Sequence, residues 1–328
     1  MKPLDSDKIK PRERFAAALK RTPMRGRIPT FELVYFLTME SFGKVHPSQR
    51  SYGQWDQMTE TERELHRNEM AHIYVDTAER FEHDAIFLHP NPGRLDETKR
   101  LIDKVRGICG DKYFLMLHGD ATYAMPNGND MMEFSYWIMT QLDEVKAKAD
   151  KMVDDALARG EELRKHGGLD GFALCADYCF NTGPFLPPDH FAKVVTPYLK
   201  RLCKGYREQG FLTIKHTDGN IMPILDQLVS AGPDALHSLD PQGHVDIAEV
   251  KRLCGDKVAL CGNVNCGLLT TGTDEEVVES ARYAIRHGAP GGGYVFCTSN
   301  CVFTGMKLER YELMLDVWRK EGFYPENA

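Results

Sequence analysis

Short apolar runs that break abruptly into polar turns alternate along this chain with longer stretches whose apolar residues return at helical spacing. The clearest run is 211–220, FLTIKHTDGN, where an apolar segment ends in Lys215, His216, Asp218, Gly219 and Asn220, the pattern of a buried strand releasing into a polar turn. Similar runs at 30–36 (TFELVYF), 84–89, 113–118 (YFLMLH), 170–176 (DGFALCA), 235–239, 258–261 and 294–297 predict seven further strands. Helices are predicted at 11–21, 59–82, 95–108, 142–165, 191–209, 222–231, 247–254, 273–287 and 308–320, the 273–287 helix opening on the capping box Thr273-Asp274-Glu275-Glu276. Eight strands alternating with helices predict an α/β fold, a (β/α)8 TIM barrel, with a doubly wound open sheet as the competing arrangement. The chain reads as a single domain with an N-terminal helical extension, and residues 36–59 as an insertion covering the barrel mouth.

In such a barrel the chemistry sits at the C-terminal ends of the strands. The residues predicted there are polar: Glu32, His89, His118, Asp120, Asp177, His216, Asp218, Asp240, Asn263, Asn265 and the segment from Cys297 to Cys301. His216 and Asp218 lie two apart on one side of their strand end. With Asp240 and Cys301 they form a mixed nitrogen, oxygen and sulfur set suited to a catalytic zinc with one open position. The alternative is that His216 and Asp218 bond to each other and the backbone while Cys301 packs. Lys215 faces the other way and reads as structural or solvated. Glu32 stands inside an apolar run, where a carboxylate needs a partner or a function. Tyr35, Phe36, Tyr123, Tyr178 and Phe180 fall near strand ends and can either sandwich a flat substrate or pack the core. Asp177, Asn181 and Asn263 join them as candidate substrate contacts.

Composition narrows the function classes. A net charge of -7 over 328 residues argues against nucleic acid as the main partner. Neither a membrane-length apolar run nor a signal-peptide pattern is present, so a cytoplasmic protein is expected. Nine cysteines without a CxxC predict reduced thiols, not a disulfide framework or zinc ribbon. Gly291-Gly292-Gly293 precedes a strand, so it is no dinucleotide fingerprint, and no P-loop occurs.

Four segments carry a resemblance: ERFAAALKR with GRIPTFE near the N-terminus, KHTDGNIMPILDQLVSAGPDALHSLDP, GDKVALCGNVN, and GAPGGGYVFCTSNCVFTG with LERYELMLDVWRKEG. Together they resemble the uroporphyrinogen decarboxylase superfamily, which implies a (β/α)8 barrel. Its heme-pathway decarboxylases carry an arginine-rich W-x-M-R-Q-A-G-R-Y segment where this chain reads Ile28-Pro29-Thr30-Phe31-Glu32-Leu33. The chain is more similar to the cobalamin-dependent methyltransferases, which hold zinc through His-x-Cys, an acid and a later Cys. The resemblance places His216, Asp240 and Cys301 on those positions, with Asp218 replacing the middle Cys. It implies transfer of a methyl group from a small methoxylated substrate, such as an aryl methyl ether, to cobalt. Glu32 or His118 would assist with the proton. The corrinoid would arrive on a partner protein, since no D-x-H-x-x-G sequence is present. A decarboxylase of another substrate and a non-catalytic corrinoid or tetrapyrrole binding module are the competing readings. A homodimer is among the oligomeric states left open.

Overall fold

The structure is a computed structural model that describes residues 3–325. At its centre is a curled parallel sheet of seven strands: β1 (Ala85–Leu88), β2 (Phe114–His118), β3 (Gly171–Leu174), β4 (Leu212–His216), β5 (Ala235–His237), β6 (Ala259–Val264) and β7 (Tyr294–Thr298). Each strand pairs with the next in chain order, and helices fill the crossovers. Closure falls to one residue. Thr30 bridges Phe296 of β7, its carbonyl accepts the N–H of Asp84 beside β1 at 2.7 Å, and its own N–H donates to the Asp84 carboxylate at 2.8 Å.

This corrects the strand expected over 30–36. Phe31, Leu33, Val34, Tyr35 and Leu37 are all buried, so the segment is held by packing on both sides and needs no ladder. After Thr30 its only further pairing among the described residues is a bridge from Tyr35 to Val302. An apolar run bounded by turns looks the same in either case. Below the barrel, Met24–Arg27 pairs with Leu4–Asp5 and with Phe323–Tyr324 in a small separate sheet. The Pro11–Leu19 helix drives Phe15 upward as a plug, its ring 5.1 Å from those of Phe31 and Phe114.

The predicted helix at 191–209 is two helices, Pro188–Val194 and Thr196–Glu208. The break falls at Val195, whose φ of -122° leaves the helical range, and Pro197 stands in the first turn of the second helix, where its missing N–H breaks no bond. The helix Met131–Thr140 and the hairpin of Cys179–Phe180 with Gly183–Pro184 were not expected. The 36–59 insertion contains the short helix Thr38–Phe42 and two single-turn segments, and Asn91 beyond β1 ties it down through the carbonyls of Pro47 and Arg50. Among the described residues no helix is long and apolar enough to cross a membrane.

Candidate metal-binding and active site

β4 alternates its side chains, and the alternation decides what each does. Lys215 points out of the barrel and is fully buried. Its ammonium donates to Asp120 and to the Ala176 carbonyl, both at 2.8 Å, and lies 3.9 Å from the centre of the Tyr178 ring. It is therefore a structural cation, never a solvated one. His216 points inward, 5% exposed.

The Nε2 of His216 stands 3.6 Å from an oxygen of Asp177 and 3.6 Å from an oxygen of Asp218. Those separations are too long for good hydrogen bonds. Asp177 follows β3 and accepts the backbone N–H of Asp218 at 3.3 Å. Among the described residues these three are the one group of histidine, cysteine and acidic donors whose atoms all lie within 4.8 Å of one another. Asp218 gives one oxygen to the Asn300 amide at 2.5 Å, while its Oδ1 is buried without a partner. Burial, then the charge of Asp177, raises the Asp218 carboxyl to about 7. Burial, then the charge of Lys215, lowers His216 to about 3, so its imidazole is neutral at pH 7. Two crowded carboxylates, a neutral imidazole and an orphaned buried oxygen make a donor set that a divalent cation fits. Gly219 enables the turn: its φ is +74°, and a Cβ there would meet the Phe180 carbonyl at 2.5 Å.

The expected ligand set of His216, Asp218, Asp240 and Cys301 is thus only half assembled. Asp240 spends one oxygen on the N–H of Gln242 at 2.9 Å and the other on that of Gly219 at 3.2 Å. It builds the turn, and Asp177 stands in the three-donor group instead. Cys301 lies outside that group, half-buried. Burial first, then the nearby acids Asp218 and Glu32, pushes its thiol up to about 12.

Glu32 is 5% exposed and committed to Thr298. The Thr298 hydroxyl oxygen lies 2.5 Å from Glu32 Oε2 and 2.5 Å from the Asn300 carbonyl. One hydroxyl proton cannot serve both acceptors, so the arrangement fits a protonated Glu32 donating to Thr298, which donates to Asn300. Burial accordingly raises Glu32 to about 8. Because the folded pKa exceeds the unfolded one, this group stabilises the fold fully below about pH 4.5 and loses that contribution as pH rises through about 8. Urea midpoints measured from pH 6 to 9 should therefore fall in the wild type and fall less in Glu32→Gln, whose amide can make the same donation. Parallel curves would refute a proton on Glu32.

His118 is exposed at the end of β2, its ring 4.8 Å from Phe87 and 5.4 Å from His89. Beside it opens a cavity of about 620 Å³, also lined by Asp120, Cys175, Met152 and Arg159. The expected aromatic sandwich does not form from the predicted residues. Tyr35 packs on Phe81 and Tyr311 with its hydroxyl on Ser41. Tyr123 packs on Trp137 and donates to the Val145 carbonyl, and Tyr178 is buried with its hydroxyl on Thr122. Phe36 is half-buried against His46. Asn181 is exposed on the hairpin turn, and Asn263 donates inward to the Leu239 carbonyl. Each phenol is an amphipathic core residue with its polar end satisfied. Phe87, His89 and His118 do meet at the strand ends, and His46 links Phe36 to His89, its ring centroid 5.1 Å from the first and 5.7 Å from the second.

Sequence reasoning missed His237, and it reached Asn300 only as a member of the segment from Cys297 to Cys301, without a role. Asn300 neighbours the expected Cys301, but nothing local marks it. His237 sits opposite His216 in the β4 to β5 register, which shows only once that pairing is known.

A protein-family model described as Uroporphyrinogen decarboxylase (URO-D) matches residues 120–321. A protein named Uroporphyrinogen decarboxylase from Thioalkalivibrio sulfidiphilus is 29% identical over 150 residues, and the match spans 43% of this chain and 40% of that relative. Among solved structures, a methyltransferase from Methanosarcina mazei superposes with a TM-score of 0.73 at 16% identity, covering 95% of this chain and 99% of its own. The GH5_18 protein from Streptomyces cattleya, solved with GlcNAc, gives 0.52 at 11% identity, covering 90% and 82%. At these identities the structural likeness is one of fold.

Proposed function

The chain belongs to the uroporphyrinogen decarboxylase family, and from that premise we propose that it is a zinc-dependent methyltransferase, moving a methyl group from a small methoxylated substrate to a corrinoid carried by a partner protein. The observation that carries this reading is the three-donor group of Asp177, His216 and Asp218 at the strand ends, with the buried oxygen of Asp218 unpartnered. Likeness of fold to a protein named a methyltransferase supports it further. Asp177, His216 and Asp218 would hold the metal, with the Cys301 thiol close by. Zinc bound there supplies a Lewis acid that withdraws electron density from an ether oxygen.

The other parts are the chain's own. The rings of Phe87, His89 and His118, in contact at 4.4 to 5.4 Å between centroids, offer an aryl group an edge and a face. The cavity beside His118 has room for a small methoxylated aromatic. Desolvation by its neighbours pulls the His118 imidazole below its usual value, and an imidazole N–H there can hydrogen-bond to the oxygen that loses the methyl group. It suits that task better than Glu32, whose carboxyl is already engaged by Thr298.

The test is a metal titration followed by turnover. Purified protein should take up about one zinc per chain and convert free cob(I)alamin to its methylated form, read by absorbance, when given methoxylated aromatics. A protein that binds no supplied zinc and methylates no corrinoid would overturn the proposal. The second reading, decarboxylation of another acidic substrate near Asp177 or His118, rests on the name of the 29% identical relative, and carbon dioxide release without methyl transfer would establish it. Binding of corrinoid with neither reaction would indicate a binding module.

A further inference from the structure

His216 is not alone in the barrel. β4 and β5 pair so that His216 and His237 stand opposite each other, their ring centroids 5.0 Å apart and their Nδ1 atoms 2.8 Å apart. His237 is 1% exposed and its other face meets the edge of the Phe31 ring at 6.0 Å. Both rings are buried.

A separation of 2.8 Å between two ring nitrogens admits one proton between them. Two N–H groups would collide, and two lone pairs would repel without a bond. The tautomer of His216 is therefore coupled to that of His237. A neutral imidazole that carries its proton on Nδ1 leaves Nε2 bare, and the Nε2 of His216 is the atom that faces Asp177 and Asp218.

We propose that His237 is a positioning residue whose Nδ1 accepts the Nδ1 proton of His216, holding His216 in the tautomer that presents a bare Nε2 to the two carboxylates. The inference rests on the reading of that group as a metal site. In that state His237 carries its own proton on Nε2, which is buried and makes no well-formed hydrogen bond among the described residues, with the Thr298 backbone beside it. Histidine ligands are usually oriented by a carboxylate or a backbone carbonyl on the second nitrogen. An imidazole does the same task without adding a third negative charge to a buried place that already holds Asp177 and Asp218, where another unpaired charge would be costly.

The experiment compares wild type, His237→Leu and His237→Gln for zinc affinity by competition with a chromophoric chelator, with thermal unfolding of each metal-free protein as the folding control. Leucine fills the space but accepts no hydrogen bond, and it should weaken zinc binding by about 10 to 100-fold. Glutamine restores an acceptor oxygen and should recover most of the loss. Equal affinity in wild type and His237→Leu would overturn the positioning role while leaving the metal site intact. A wild type that binds no zinc would overturn both. Nitrogen NMR of the histidines in zinc-loaded wild type gives an independent readout should the leucine variant fail to fold. His237 Nδ1 should show the shift of an unprotonated nitrogen, and a protonated Nδ1 there would overturn the proposal.

Discussion

Alanine in place of His216 is expected to weaken zinc binding by at least about a hundredfold, since each ligand of a small site carries several kcal/mol of its binding energy. Methyl transfer should fall with it. Asp218→Ala should act in the same direction, because it removes both the orphaned Oδ1 and the oxygen that anchors Asn300. The informative contrast is Asp240→Ala. Both oxygens of Asp240 are used on the N–H groups of Gln242 and Gly219, so its loss should cost about 1 kcal/mol of stability, as for a lost cap, with zinc affinity retained. Chelator competition and urea unfolding on the three variants read the two quantities separately. If Asp240→Ala lost zinc as completely as His216→Ala, the three-donor assignment would fail.

Replacing Lys215 by methionine should cost about 3 to 5 kcal/mol, the usual result of removing one partner from a buried ion pair. Nothing in that figure comes from lost packing, because methionine nearly fills the lysine's stem. The cost comes from Asp120, which would keep its charge with only N–H and hydroxyl donors from Thr122 and Ala176 to balance it. With Lys215 present, burial alone would raise the Asp120 carboxyl, but the ammonium charge and hydrogen bond bring the balance below the usual carboxylate value. The double variant Lys215→Met/Asp120→Asn should be more stable than Lys215→Met alone, since it removes the stranded charge. Urea unfolding of the four proteins gives the coupling energy. A loss under about 1 kcal/mol for Lys215→Met would mean that the pair is not closed off from solvent.

These two neighbours on β4 show how far a sequence can be read. The apolar run ending in Lys215-His216 announces a buried strand, and period-two alternation sends the two side chains to opposite faces. That much needed no structure. Which face holds a partner did need it, because Asp120 and His237 reach β4 from other strands. The swap of Asp240 for Asp177 has the same origin. Both follow a strand, and an aspartate after a barrel strand is a natural ligand. Asp240, however, begins Asp-Pro-Gln-Gly, a turn-forming series in which the carboxylate commonly accepts the N–H two residues on. The Asp-Pro signal was local and legible, and it indicated a turn-builder. The aromatic sandwich failed because tyrosines near strand ends look alike whether they line a mouth or carry a buried hydroxyl to a partner. The barrel-type fold was legible although seven of the eight expected strands form and the eighth is a single bridge at Thr30, because the 30–36 run is buried as a strand would be.

The closure at Thr30 also bears on redesign. The barrel is sealed there by one bridge, followed two residues later by the contact of Glu32 with Thr298. Thr298 is the last residue of β7, and the next turn carries Asn300, which holds Asp218. Positions 32 and 298 are therefore a single unit for anyone grafting a new activity onto this scaffold. A library that randomises position 298 while fixing Glu32 would keep a buried carboxyl without its partner, whereas one that varies the two positions together can exchange the clasp for a neutral or apolar pair and leave the mouth free to change.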